Sequence, residues 1–335
     1  MLAFVIILIG AIAAWIFLGS ATGFETQQKA LYIRSNAATE EAVIDSLRKN
    51  KIVTNTNAFK WLAGQFNYWK KIKPGKYEIK KGSSLLSIVR MLHNGSQTPV
   101  NLVISKIRTK EDLAHLVGNH FECDSMQMIR LLDSQDSLEK FNIDTASSMW
   151  VVLPNTYTFH WNVTPSIIYE RLYASSKKFW TDERVKEAQD HKLTPVQAYI
   201  LASIIEEETN VNNEKGNIAS VYLNRLNKGM PLQADPTVKF AMRDFGLKRI
   251  YGKYTQTESP YNTYKNKGLP PGPICTPSKK TIDAVLNAPA TDFLYFVVDT
   301  EHPGTHTFSR TYEEHLEKAK EYHNHLDSVK RTEVK

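Results

Sequence analysis

"TPVQAYILASIIEEETNVNN", Thr194 to Asn213, decides how this chain is to be read. Thr194 at the cap, Pro195 at the first helical position and Gln197 three after the threonine make a capping box, so a helix starts at Pro195. From there to Ile205 no residue is charged, and the segment is apolar nearly all round, the mark of a helix buried inside a domain. Asn210 to Asn213 read as a stop, which leaves Glu206, Glu207 and Glu208 in the last turn. A helix C-terminus carries partial negative charge, and an acid there costs about 0.3–1 kcal/mol. Partial burial acts in the same direction, so both effects raise a carboxyl pKa. A glutamic acid that keeps its proton near neutral pH is what a general acid requires.

Helical spacing sets Tyr199, Ala202, Ser203 and Glu206 along one stripe. Ala202 and Ser203 leave room there for a ligand, whereas Glu208 follows the bulkier Ile204 and Ile205. Glu206 is the expected proton donor. The competing reading is a charged helix end, solvated or paired with a cation such as Arg225. Position alone does not separate the two, because structural ion pairs also perturb pKa values.

The surrounding chain has 335 residues, enough for two domains. It is 42% hydrophobic and 23% charged, so it has no bias toward disorder. A net charge of +7 suits an anionic partner such as a wall polymer or a phospholipid surface. No basic block or zinc-ligand pattern points to nucleic acid. Cys123 and Cys275 lie far apart and read as two unpaired, packed thiols.

At the start, "LAFVIILIGAIAAWIFL", Leu2 to Leu18, is uncharged and close to the roughly 20 residues that cross a bilayer. A secretory signal has a shorter apolar stretch and a clear cleavage site, so residues 1–24 are expected to be a retained single-pass anchor in the cell membrane. Lys29 and Arg34 follow the run and no basic residue precedes it, which argues weakly for a cytoplasmic body. The chemistry expected of the body requires the extracytoplasmic side.

Residues 25–105 form a small first unit. Pro74-Gly75 is a turn, Lys76 to Lys80 a strand, Ser83-Ser84 a cap, Leu85 to Leu92 a helix closed by Asn94-Gly95, and Val100 to Ile104 a returning strand. That order resembles a LysM-like module, and a bland spacer fits it as well. Residues 106–335 alternate helices (Lys110–Gly118, Ser125–Leu132, Pro165–Phe179) with short strands, among them a buried one within Asp292–Asp299. The fold class is α+β, not a doubly wound sheet.

A set of motifs in fixed order adds to this reading: "LASIIEEET", "NIASVYLNRLNKGMPLQADPTVKFA" (Asn217–Ala241), "YNTYKNKGLPPGPICTP" (Tyr261–Pro277), "FLYFVVD" and "HTFSRT". Together they resemble the YceG-like family of membrane-anchored endolytic murein transglycosylases over most of residues 190–312. A looser likeness extends to "LPNTYTF" (Leu153–Phe159) and to the LysM-like segment. The resemblance implies cleavage of peptidoglycan strands between N-acetylmuramic acid and N-acetylglucosamine, leaving 1,6-anhydro ends, without a cofactor or metal. It implies work beside peptidoglycan synthases, terminating nascent strands. It also implies that the first acid after the apolar helix, Glu206, is catalytic. A lytic cleavage needs one carboxyl, since the sugar's own 6-hydroxyl closes the ring and no water is activated; hydrolases typically use two.

What remains is to hold the sugars with neutral polar groups. The expected contributors are Asn224 on a second helix (Lys215–Lys228), Gln233 and Thr237 in the loop "MPLQADPTV", and Tyr261, Asn262 and Thr263, with Tyr157 from the looser motif. Asp235, before Pro236, either orients a partner or makes an Asx-type turn. The chain departs from the family at Asn155, where relatives often carry an acid, and at Cys275, where a small residue is usual. His302 and His306 are four apart, but Pro303 and Gly304 between them argue against a helical metal site. Two other functions compete: a non-catalytic wall-binding scaffold, and a hydrolytic muramidase with Asp235 as second carboxylate.

Overall fold

A computed structural model describes residues 4, 5, 7, 15–247, 250–302 and 304–333. The expected anchor therefore lies mostly outside the described residues, and among those described no helix is long and apolar enough to cross a membrane. Two compact units share the chain, and the division is discontinuous. The first takes residues 1–102, 115–128 and 156–168; the second takes 103–114, 129–155 and 169–335. Two segments from beyond residue 105 thus belong to the first unit.

In the first unit, strand β1 (Gln28–Ile33) runs antiparallel to β2 (Gly75–Lys80), in a register from Gln28 opposite Lys80 to Ile33 opposite Gly75. The expected strand exists, but its partner precedes it by two helices instead of following it. The alternation explains the pairing: Leu31 and Ile33 of β1 and Tyr77 and Ile79 of β2 are buried, while Lys80 is exposed. Helices Glu40–Lys49, Thr56–Gln65 and Leu85–Asn94 cover that face, capped by Thr39, Asn55 and Ser84. Leu85, Ile88, Val89 and Leu92 are buried at helical spacing, and Gly95 ends the helix at φ 71°. A third strand, β3, occupies Val100–Ile104 as expected.

The second unit is built around the Pro195–Glu208 helix. The capping box at Thr194 is present, with both reciprocal hydrogen bonds formed and Pro195 in the first turn. Every residue from Ala198 to Ile205 is buried. Helices Lys215–Asn227 and Lys279–Leu286 pack against it, sharing a core with Leu153, Trp180, Ile218 and Val285. The stripe of small residues holds no ligand space. Ser203 Oγ accepts from the Ile274 amide at 3.0 Å and the Cys275 thiol lies 3.3 Å from the Ser203 carbonyl, so the chain's own Gly268–Cys275 loop fills it. Both cysteines are free and buried, and burial pushes the Cys275 thiol well up.

Strand β4 spans Asn155–Phe159. Strands β5 (Tyr295–Val298) and β6 (His306–Ser309) form an antiparallel hairpin, followed by the terminal helix Tyr312–Glu333. β5 is shorter than its apolar run and only half-buried, because one side borders a cleft. Asp235 opens a helix, Asp235–Met242, with Pro236 in its first turn, where a missing amide hydrogen costs nothing.

Candidate active site

The three acids at the helix end meet three different environments. Glu206 is clamped. Its Oε2 accepts from Lys215 Nζ at 3.0 Å and Ser278 Oγ at 3.2 Å, and in a very short contact from Thr281 Oγ1. Lys215 Nζ also donates to Thr281 Oγ1 at 2.8 Å. With its side chain 15% exposed against 5% for Lys215, Glu206 forms a buried ion pair that fastens three helices together. Glu206 is thus held in a clamp, and the cation that takes it is Lys215, not Arg225.

Glu207 sits between Lys106 at 2.9 Å and Arg108 at 3.0 Å. Burial pushes its carboxyl up, but the hydrogen bonds and charges of Arg108 and Lys106 outweigh that and hold it below the usual carboxylate range. Lys106 Nζ also donates to the Glu206 carbonyl at 3.3 Å, answering the helix C-terminus itself.

Among the described residues, no cation lies within salt-bridge distance of Glu208. Its hydrogen-bond partner among the described residues is the Tyr222 phenol, which donates to Oε1 at 2.5 Å. The residue opens on a cleft of about 340 Å³, within the usual size range of ligand sites. Burial, with Asp235 adding its negative charge, pushes the Glu208 carboxyl up to about 7, against the smaller downward pull of the Tyr222 hydrogen bond, Lys239 and Arg225. The partial negative charge of the helix terminus acts in the same sense. Burial, Glu208 and the hydrogen bond to it push Tyr222 well above an ordinary phenol, so it stays a donor.

Asp235 lines the same cleft and accepts from Tyr264 Oη at 2.6 Å. Gln233 also borders it, exposed and at φ 52°, with its amide donating to the Thr263 carbonyl at 3.1 Å. Phe296 and Val298 of β5 form an apolar wall, and His306 of β6 adds a polar edge. Arg225 braces the cleft from behind, donating to the Leu232 carbonyl at 2.6 Å and the Leu294 carbonyl at 2.7 Å.

Of the other expected sugar contacts, most are structural. Thr237 and Thr263 are fully buried and bond each other at 2.8 Å, and Thr263 Oγ1 also accepts from the Ala234 amide at 3.0 Å. Asn262 is buried and donates to the Thr255 and Thr257 carbonyls. Asn224 donates to the Thr291 and Phe293 carbonyls at 2.7 and 3.0 Å. Tyr261 packs on Phe240 with ring centroids 4.7 Å apart. Tyr157 belongs to the first unit, where it is buried. The sequence reading passed over Glu208 in favour of Glu206, weighed His306 only as a metal ligand, and missed Tyr222 and Tyr264. A tyrosine among the apolar residues Ile218, Val221 and Leu223 of its helix was the signal available for Tyr222, since a buried phenol needs a partner. His302, weighed with His306 as a metal pair, lies beside Asp299 at 3.3 Å, and His306 beside Glu214. The side chains of His323 and His325 lie outside those described.

The YceG-like family model matches residues 31–321. The chain belongs to the YceG-like family. An endolytic murein transglycosylase of Bacillus subtilis (strain 168) is 29% identical to it over 295 residues, covering 84% of this chain and 81% of that protein. One from Streptococcus pneumoniae serotype 2 (strain D39 / NCTC 7466) is 28% identical over 310 residues, covering 83% of this chain and 56% of the relative. A crystal structure of a yceG-like protein from Listeria monocytogenes aligns with a TM-score of 0.58 at 26% identity, over 88% of this chain and 99% of that one. Within this family member, the motif "LASIIEEET" supplies both the structural clamp and the candidate acid.

Proposed function

We propose that the protein is a peptidoglycan lytic transglycosylase that cuts glycan strands endolytically, with Glu208 as its acid and base. One observation carries the reading: a carboxyl raised to about 7, hydrogen-bonded to a phenol and open to a cleft. The names of the relatives support the substrate class. Glu208 gives its proton to the glycosidic oxygen as the bond from C1 breaks. The muramyl 6-hydroxyl attacks C1, and its proton returns to the Glu208 carboxylate. The product is a 1,6-anhydro ring, and no water is consumed. Gln233, Asp235 and Tyr264 supply polar contacts along the cleft, while Phe296 and Val298 offer an apolar face to a sugar ring.

Mass spectrometry of glycan strands digested by the protein tests this. New 1,6-anhydro ends are expected, and Glu208→Gln is expected to lose at least about 100-fold in rate while staying folded. A second reading, a hydrolytic muramidase, draws on Asp235 beside Glu208 in one cleft. It would yield reducing ends instead, and a non-catalytic scaffold would yield no new ends. We also read residues 2–18 as the bilayer anchor, with the body on the extracytoplasmic side and the first unit as a LysM-like glycan contact beside the synthases. Glycan is available only there. Resistance of the body to protease added outside the membrane would reject that topology.

A further inference from the structure

Glu208 enters the cleft from a helix end, whereas His306 enters it from β6. One carboxylate holds His306 at two points. Glu214 Oε1 accepts from its backbone amide at 2.6 Å, and Oε2 lies 3.1 Å from ring Nδ1. Both side chains are 12% exposed, and the imidazole stands edge-on to Phe296 with centroids 5.4 Å apart. A carboxylate only accepts, so Nδ1 carries the hydrogen, and it is the Nδ1–H tautomer that has its lone pair on Nε2. Among the described residues nothing hydrogen-bonds Nε2. The nitrogen that remains is an acceptor at the edge of a cleft whose proton donor is elsewhere.

Lytic cleavage has two proton events on the sugar: the leaving oxygen gains one and the 6-hydroxyl loses one. Glu208 is poorly placed to serve both at once. Its Oε1 is engaged by the Tyr222 phenol, so the acid proton belongs on Oε2. Until that proton has left, the carboxyl has little capacity to accept from a hydroxyl.

We propose that the Glu214–His306 pair holds the attacking sugar hydroxyl, with Nε2 accepting its hydrogen bond and aiming its oxygen at C1. This rests on the cleft being a lytic active site. As the C1–O4 bond breaks, the Glu208 proton goes to O4. As the O6–C1 bond forms, the O6 proton leaves its hydrogen bond to His306 for the vacated Glu208 carboxylate. The enzyme ends as it began.

Two variants test the pair on purified glycan strands. In His306→Asn the amide nitrogen sits where Nδ1 was, so the bond to Glu214 is kept and Nε2 is lost. In Glu214→Gln the side-chain amide faces Nδ1 and forces the hydrogen onto Nε2, which then cannot accept. Each variant is expected to melt like the wild type and keep KM within about twofold, with kcat lower by about 100-fold. The share of anhydro ends should fall in favour of reducing ends, as water replaces a misaimed hydroxyl. A merely structural role would leave that ratio unchanged. Wild-type kcat in both variants, or a loss with an unaltered end ratio, would overturn the proposal. If either variant fails to fold, the end ratio of the other decides. Wild-type protein yielding only reducing ends would instead overturn the parent reading.

Discussion

The two flanks of one helix turn make opposite use of the same side chain. On one flank Glu206 and Glu207 are met by Lys215, Lys106 and Arg108, all brought from other segments. On the other, Glu208 meets a phenol and a cleft. A carboxylate at a helix C-terminus is unfavourable, and there are two ways to live with it: import a cation, or keep the proton. The first gives a clamp and the second gives an acid. The difference between them is decided by what packs alongside, not by the acids themselves.

The largest separation is expected in rate. Glu208→Gln should lose at least about 100-fold in strand cleavage, whereas Glu206→Gln should keep most of its rate per folded molecule. Assaying both on the same glycan would break the comparison if the losses were reversed. Next is stability. Lys215→Met leaves a carboxylate unpaired beside Thr281 and Ser278, and should cost about 3–5 kcal/mol in urea unfolding. An unchanged unfolding midpoint would remove Glu206 from its structural role.

The clamp on Glu206 was not legible in the sequence for an identifiable reason. The capping box at Thr194, the burial of Ala198–Ile205 and the placement of the acids in the last turn were all local, and all were legible. Which acid is clamped depended on Lys215 from one helix and Ser278 and Thr281 from the start of another. Neighbour spacing on one helix carries no information about them. Ala202 and Ser203 suggested open space, but the Ile274–Cys275 loop occupies it. Thr237 and Thr263 looked like sugar contacts because hydroxyls suit sugars. Hydroxyls also suit each other, and 26 residues apart they meet in the core. The strand Gly75–Lys80 was legible as an element, but its partner was not, since register depends on which faces are buried together.

Smaller effects sharpen the contrast through pH. Glu208 binds its proton more tightly folded than unfolded, so its contribution to stability should fall as pH rises from about 4.5 to 7. Glu207 is shifted the other way, and its contribution should be present above the unfolded value and lost as pH falls. Glu208→Gln should flatten the first slope and Glu207→Gln the second, as followed by melting temperature against pH. Strand cleavage should decline as pH rises through about 7, because the acid form is consumed. Tyr222→Phe removes a bond that favours the charged carboxylate, so that decline should move to higher pH. A decline at lower pH would contradict the direction. The smallest effect is expected from Glu207→Gln at neutral pH, a loss of about 1–2 kcal/mol on unfolding with cleavage intact.

Carbon-13 NMR of the glutamate carboxyls, recorded across pH in wild type and in each of the three single Gln variants, tests the central claim most directly. One carboxyl is expected to titrate near 7, to vanish in Glu208→Gln and to persist in the other two. A near-neutral titration that disappears with Glu206 instead, or no carboxyl titrating above the ordinary range, would contradict it.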